Sequence, residues 1–248
     1  MMKFTEDSLF VSPTPVKLAE ELSGWFFAQA LELSESKKSF YVAISGGNTP
    51  ILFFNNLAAR YSHNLNWNNI HFFWADERCL PPTHNDSNYR TANNNLLSKI
   101  SVPLSNIHRI KGEGNLQDEV ENYKNEILSV IPLENDLPRF DLIMLGMGDD
   151  GHTASLFPKQ EKLLHSKNIC EASVNPATGL NRITLTPLCI NNAVKVVFQI
   201  TGLAKSNLVN DILLKRASYK EYPAAHIKPT SNNLYWFLDA GAAKGLFN

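Results

Sequence analysis

The sequence predicts an α/β domain with a mostly parallel sheet and helices on both faces of that sheet. Strand-like and helix-like segments alternate along the 248 residues, the arrangement from which strand–helix–strand units build a parallel sheet. Polar stretches, two of them glycine-rich, follow three of the predicted strands. Since ligands of parallel sheets bind at the carboxyl ends of the strands, these stretches also predict where a site should lie.

Helices and strands alternate regularly in the first half of the chain. We predict a helix at 15–36, a strand at 39–44, a helix at 49–61, a strand at 69–75 and a helix at 87–100. Thr49 is the candidate N-cap of the second helix, and Pro50 lies in its first turn. Ser87 is the candidate cap of the third helix, since serine accepts hydrogen bonds from the free N–H groups there.

The second half continues the alternation with more strands. We predict a strand at 106–110, a helix at 116–131, strands at 140–146, 181–187 and 194–201, a helix at 205–217 and a strand at 233–240. The continuously apolar run 140–146 is typical of a central strand that is buried on both faces. With no internal repeat and no low-complexity linker, we predict a single domain over residues 1–248.

The composition argues against several classes of protein. Lys and Arg number 23 and Asp and Glu 24, for a net charge of −1, so general binding to nucleic acid or to a membrane surface is not expected. Three dispersed cysteines without a C-x-x-C motif suggest neither a zinc cluster nor a disulfide framework. No signal-peptide core and no run near 18 apolar residues is found. We therefore expect a cytoplasmic protein.

The first polar stretch is SGGNTP at 45–50. Its two glycines let the backbone approach a ligand closely, and the helix that follows offers free N–H groups and a partial positive charge to an anion. A phosphate is the expected guest, although a tight strand–helix turn would use the same residues. The motif matches neither the P-loop nor G-x-G-x-x-G. The candidate binding residues are Ser45, Gly46, Gly47, Asn48 and Thr49.

The second stretch places Asp76, Glu77 and Arg78 directly after a strand. The alternative interpretation is a solvated loop in which Arg78 pairs with one of the two carboxylates. Two isolated basic residues, Arg182 and Lys205, each begin an element near a strand end, where a phosphate could meet them. The alternative for each is a solvated surface residue, which is the usual place of an isolated arginine or lysine.

The third stretch is GMGDDGHTAS at 146–155. Three glycines in six residues indicate a sharply bent or closely approached backbone around His152. Asp150, two residues away, could orient the imidazole and raise its basicity, as in general-base sites. A polar turn and a metal site are the alternatives, but further ligands for a metal are lacking. We expect Asp149 to face solvent, and Ser155 lacks the G-x-S-x-G context of a nucleophile.

Taken together, SGGNTP, WADERCLPPTHNDSNYR and LGMGDDGHTASLFP resemble the motifs of 6-phosphogluconolactonases in order and spacing, and the resemblance extends to NRITLT, TGLAK and LYWFLDAGAA. It implies a Rossmann-like, modified doubly wound α/β fold, shared with glucosamine-6-phosphate deaminases and ribose-5-phosphate isomerases. It implies an ester hydrolase that converts the small molecule 6-phospho-D-glucono-1,5-lactone to 6-phosphogluconate in the oxidative pentose phosphate pathway. A monomer or homodimer without metal or organic cofactor is expected.

The resemblance also implies roles for residues. His152 matches the general base that activates water, and Asp150 matches the acidic residue that orients it. Arg78 is expected to face the substrate, and Asp76 is counted with the binding residues. The ligand-cradling loop corresponds to Ser45, Gly46, Gly47 and Thr49. Asn48 departs from the usual Ser, Arg or Lys but can still donate hydrogen bonds, and Arg182 and Lys205 match phosphate-contacting positions of the deaminases.

Two other functions remain open at this point. A glucosamine-6-phosphate deaminase would carry the loop D-G-H-I-A-F-N-E, whose final glutamate supports the ring-opening histidine. Phe157 stands at that position here and cannot accept a proton. A non-catalytic sugar-phosphate sensor would add a DNA-binding helix-turn-helix, for which the chain has neither spare length nor a basic segment.

Overall fold

The structure, a computed structural model, describes residues 8–35, 38–216 and 218–247. Its strands are β1 (Leu9–Ser12), β2 (Phe40–Ile44), β3 (Ile70–Trp74), β4 (Asp76–Arg78), β5 (Leu133–Glu134), β6 (Leu137–Pro138), β7 (Leu142–Leu145), β8 (Cys170–Val174), β9 (Asn181–Leu185), β10 (Lys195–Ile200) and β11 (Leu234–Asp239). Its α-helices are α1 (Pro15–Glu35), α2 (Thr49–Tyr61), α3 (Asn88–Asn95), α4 (Leu116–Val130), α5 (Glu161–Leu164), α6 (Pro187–Ile190) and α7 (Ser206–Leu213).

The central sheet has six parallel strands in the order β1-β11-β10-β7-β2-β3, which confirms the predicted parallel α/β fold. The chain places β3 on one side of β2 and then returns to place β7 on the other side. The direction of strand addition therefore reverses between β2 and β7. Ligands of open parallel sheets bind outside the carboxyl ends of the strands at such a reversal.

Helices cover the sheet because each parallel connection must cross over it. Parallel crossovers are right-handed, so connections that run in opposite directions along the sheet place their helices on opposite faces. The α1 and α2 connections run the same way, and the two helices pack together. The α7 connection runs the other way and places its helix on the opposite face. Within the described residues, no helix is long and apolar enough to cross a membrane.

The centre of the sheet is as apolar as the sequence predicts. All four residues of β7 are buried, as are five of the six residues of β10, because strands covered by helices on both faces have no solvent side. Buried apolar residues of the sheet and helices form one connected cluster. The single domain over residues 1–248 stays a prediction.

A second sheet lies beside the first and was not predicted. Its strands β4, β9 and β8 pair antiparallel. The strand predicted at 181–187 is therefore present as β9, but outside the parallel sheet. The stretch Asp76–Arg78 forms β4 rather than a solvated loop, which aligns Arg78 opposite Arg182.

Two local predictions were wrong, and one cap was confirmed. The segment 106–110 is no strand, because it touches β3 through the single bridge Phe72–Ile107 before turning away. Thr49 is not the N-cap of α2: Asn48 holds that position, without a capping side-chain hydrogen bond. Ser87 does cap α3, and its hydroxyl accepts a 3.1 Å hydrogen bond from the Arg90 N–H.

His71 of edge strand β3 stacks on His108. Nδ1 of His71 lies 3.1 Å from Nε2 of His108, whose Nδ1 lies 2.6 Å from a Glu126 carboxylate oxygen. Burial first, and the neighbouring His108 second, lower the pKa of His71. Folding therefore disfavours the protonated form of this imidazole.

This lowered pKa predicts a pH-dependent stability. An unfolded histidine titrates near 6.5, so below about pH 6.5 the unfolded chain binds a proton that folded His71 resists, and the free energy of unfolding falls. We expect His71→Gln to show a smaller loss than the wild type in urea melts as the pH is lowered from neutral. His165→Gln, which removes a largely exposed histidine, is the control. Equal losses in wild type and His71→Gln would contradict the prediction.

Candidate active site

A cavity of 430 Å³ opens at the carboxyl ends of β2, β7 and β10, where the strand order predicts a site. This volume suits a small organic ligand. Ten of the eleven residues predicted for the site line it: Ser45, Gly46, Gly47, Asn48, Thr49, Asp76, Arg78, His152, Arg182 and Lys205. The eleventh, Asp150, instead holds the His152 ring.

The loop between β2 and α2 forms one wall of the cavity. A Cβ on Gly46 would lie 1.8 Å from Oδ1 of Asn88, so only glycine fits there, and Gly47 has φ +92°. The Ser45 hydroxyl donates a 2.8 Å hydrogen bond to the Met144 carbonyl of β7 and ties the loop to the sheet. The loop thus leads the first N–H groups of α2 to the cavity, where the helix dipole favours an anion.

The loop after β7 presents the histidine. Nδ1 of His152 lies 2.5 Å from Oδ1 of Asp150, and the His152 backbone N–H donates to the same oxygen at 3.1 Å. A Cβ on Gly148 would lie 2.1 Å from Nδ1 of His152, and Gly151 has φ +78° and packs against the Tyr222 ring. Glycine is therefore required at both positions for the loop to close around the imidazole.

The charge of Asp150 determines which nitrogen of the His152 ring carries the proton in their contact. Partial burial raises the pKa of Asp150, but hydrogen bonds and charge interaction with His152 outweigh burial and leave the pKa below its usual value. An ionised carboxylate only accepts hydrogen bonds, so Nδ1 of His152 carries the proton in their contact. In the neutral ring Nε2 then has a free lone pair.

Buried Ser155 stabilises the loop that carries His152 through two hydrogen bonds. Its hydroxyl, 1% exposed, donates a 2.5 Å hydrogen bond to Oδ2 of Asp76, and its N–H donates to the Thr184 hydroxyl at 3.1 Å. Asp76 is itself buried and accepts from the Asn88 amide. The Ser155 hydroxyl is therefore engaged by Asp76, and Asp76 occupies a structural position in the cavity wall.

Glu77 is a structural residue that the sequence analysis did not assign. Its buried carboxylate accepts hydrogen bonds from the Ser87 hydroxyl and from the N–H groups of Arg78, Asn88 and Tyr89. Burial raises its pKa, and the backbone hydrogen bonds partly offset that effect. A carboxylate at the start of α3 satisfies free N–H groups of the helix. The sequence Ser-Asn-Tyr at 87–89 begins ten residues after Glu77, and it is the signal that could have revealed this cap.

Two arginines form a cross-strand pair on the second sheet. Arg78 and Arg182 are register partners of β4 and β9, and both line the cavity. Nε of each is buried and has no hydrogen-bond partner among the residues that the structure describes, although Arg78 also donates to the Asp86 carbonyl. Burial, and then the charge of Arg78, lower the pKa of Arg182. Two neighbouring guanidinium groups with unused donors favour a bound anion.

Lys205 adds a third cation to the cavity wall. It stands at the N-cap of α7, and its Nζ lies 2.5 Å from Oδ1 of Asp149. The Lys205 side chain is 17% exposed and that of Asp149 is 87% exposed. Asp149 thus faces solvent, as predicted, yet it also forms an ion pair that the sequence analysis did not foresee.

The fold and motifs agree with comparisons to known proteins. Residues 13–236 match the family described as glucosamine-6-phosphate isomerases/6-phosphogluconolactonase. The chain belongs to this family.

Relatives within this family are similar over most of their length. A 6-phosphogluconolactonase of Haemophilus influenzae is 38% identical over 212 residues, 85% of this chain and 89% of the relative. One from Synechocystis is 38% identical over 207 residues, 83% of this chain and 84% of the relative. The structure of 6-phosphogluconolactonase from Trypanosoma brucei is 27% identical, has a TM-score of 0.85 and covers 96% of this chain and 98% of that one.

Phe157 is an apolar residue of the cavity wall that packs against the His152 ring. Its ring is buried, and its centroid lies 4.8 Å from that of His152 at an interplanar angle of 46°. The only hydrogen bond of the His152 ring to another described residue is the one to Asp150. An apolar ring therefore lies against the imidazole of His152. Within the described ranges, no group of His, Cys, Asp or Glu side chains is arranged to hold a metal ion.

Proposed function

We propose that this protein hydrolyses 6-phospho-D-glucono-1,5-lactone to 6-phosphogluconate. The observation that carries the proposal is the His152–Asp150 pair in a cavity lined by three cationic side chains, with Phe157 against the imidazole. An oriented histidine can activate water, and the cations suit a phosphorylated substrate. The names of the relatives support the same activity.

The phosphate is anchored away from the reacting carbon. The N-terminus of α2 and the loop 45–49 bind it, with Arg182 and Lys205 supplying charge. Charge-assisted hydrogen bonds to a phosphate are among the stronger polar contacts in proteins. Holding the remote phosphate orients the lactone carbonyl, which lowers the entropic part of the barrier.

His152 is the general base of the proposed reaction. Its Nε2 takes a proton from water as the water oxygen attacks C1 of the lactone, and the carbonyl electrons move to the oxygen. Asp150 holds Nδ1–H and stabilises the imidazolium that forms. Arg78 or a backbone N–H group of a glycine-rich loop donates to the oxyanion. The tetrahedral intermediate then collapses, the C1–ring-oxygen bond breaks, and the imidazolium protonates the leaving oxygen.

A deaminase is the second candidate, and Phe157 argues against it. Ring opening of an amino sugar phosphate requires proton transfer to and from the sugar, and a glutamate supports the histidine that performs it. A buried phenyl ring lies there instead. A lactone is already an acyl ester, so its hydrolysis needs no such step.

The substrate distinguishes these two functions. With 6-phosphogluconolactone generated continuously from glucose 6-phosphate, we expect the protein to accelerate 6-phosphogluconate formation well above the spontaneous rate. With glucosamine 6-phosphate we expect no ammonia release. Ammonia release without lactone hydrolysis would favour the deaminase, and binding of either ligand with no turnover would favour a sensor.

A further inference from the structure

One cation of the cavity already has a carboxylate partner. Oδ1 of Asp149 lies 2.5 Å from Nζ of Lys205 and comes from the same loop as Asp150 and His152. A carboxylate among groups that attract a phosphate opposes phosphate binding by its charge. The role of Asp149 therefore needs an explanation beyond the packing of its loop.

The position of Lys205 explains why it attracts a carboxylate. It immediately precedes α7, and its side chain is mostly buried, where an unpaired charge is costly. A lysine cation there is unfavourable without a counter-ion. The Lys205 side chain is mostly buried, so Asp149, which is almost fully exposed, is the partner that can move.

The ion pair is also weak enough to exchange. Ion pairs with an exposed partner typically contribute about 0.2–1 kcal/mol. A phosphate dianion carries more charge than a carboxylate and presents three acceptor oxygens, so it can displace Asp149 at small cost.

We propose that Asp149 is a tethered competitor of the substrate phosphate. It neutralises Lys205 while the cavity is empty, and it swings into solvent when a phosphorylated ligand binds. The consequence is a uniform weakening of phosphate affinity, for substrate and product alike, which favours product release. This inference rests on the proposed phosphate-anchoring role of Lys205.

The test measures how Asp149 and Lys205 depend on each other. The affinities of inorganic phosphate and of 6-phosphogluconate are measured by calorimetry at one ionic strength for wild type, Asp149→Asn, Lys205→Met and the double variant. We expect Asp149→Asn to bind both ligands about 2–5-fold more tightly, the size expected from loss of an exposed ion pair. In the Lys205→Met background the same substitution should change nothing. Asp149→Ala repeats the test without a residual amide, and thermal melts confirm folding.

Asp86→Asn is the matched control for general charge removal. Asp86 is an exposed carboxylate close to His84, and its carbonyl contacts Arg78, but its side chain forms no ion pair with Lys205. Unchanged or weaker binding by Asp149→Asn, or equal tightening with and without Lys205, would overturn the competitor role while leaving the anchoring scheme intact. If Lys205→Met itself leaves phosphate affinity unchanged, the anchoring role of Lys205 fails and the competitor role fails with it.

Discussion

Replacing His152 with alanine should lower kcat for hydrolysis of 6-phosphogluconolactone by about 10²–10⁴-fold, the usual contribution of a positioned general base. The affinity for 6-phosphogluconate should stay within a few-fold of wild type, because the phosphate contacts lie on other elements. His152 lines the cavity, and Asp150 contacts its Nδ1. Its Nε2 is therefore free to accept a proton. The measurement is lactone hydrolysis above the spontaneous background, with the lactone generated in place.

A second substitution separates orientation from proton transfer. Asp150→Asn keeps a side chain of the same size but can hold the imidazole in the wrong tautomer. Its kcat should fall less than that of His152→Ala. The double variant should be no slower than His152→Ala. A near wild-type rate in His152→Ala would refute the general base. His165→Ala, which changes an exposed histidine outside the cavity, should retain full activity.

The fold was predictable where burial leaves a local pattern. Strands covered on both faces, such as 140–146 and 194–201, are continuous apolar runs, and these are the strands that the sequence predicts. β4 was not predictable in this way, because its Asp76 and Glu77 are buried polar residues. Ser155, the partner of Asp76, is distant in sequence, and a three-residue strand carries no periodicity.

The same distinction between local and distant contacts applies to the site. His152 and Asp150 are two residues apart, so their pairing could be predicted from one loop. The contact of Lys205 with Asp149 joins two separate strand ends, and the alignment of Arg78 with Arg182 depends on an antiparallel register. Each of these residues could be proposed alone, but no sequence pattern indicates which of them meet.

The second large effect is expected at Arg182, where folding and binding have opposing requirements. Arg182 is 8% exposed, its Nε has no hydrogen-bond partner within the described part of the chain, and the like charge of Arg78 stands opposite. Burying an incompletely paired charge opposes folding. The charges of Asp76 and Glu77 offset part of this cost, and a bound phosphate would offset more of it, since it supplies further acceptors and further negative charge.

Arg182→Met should therefore weaken phosphate binding and stabilise the free protein at once. Methionine keeps an unbranched stem but removes the charge, so we expect the affinity for 6-phosphogluconate to fall about 10–100-fold, as for lost hydrogen bonds to a charged group, while the melting temperature holds or rises.

Arg60→Met, at an exposed pair with Glu20, should leave phosphate affinity unchanged. If Arg182→Met melts at a much lower temperature with unchanged phosphate affinity, Arg182 is a structural residue and the anchor lies elsewhere in the cavity. Loss of affinity at equal or higher stability is the result that only a binding residue gives, because a packing residue cannot lose affinity while the fold gains stability.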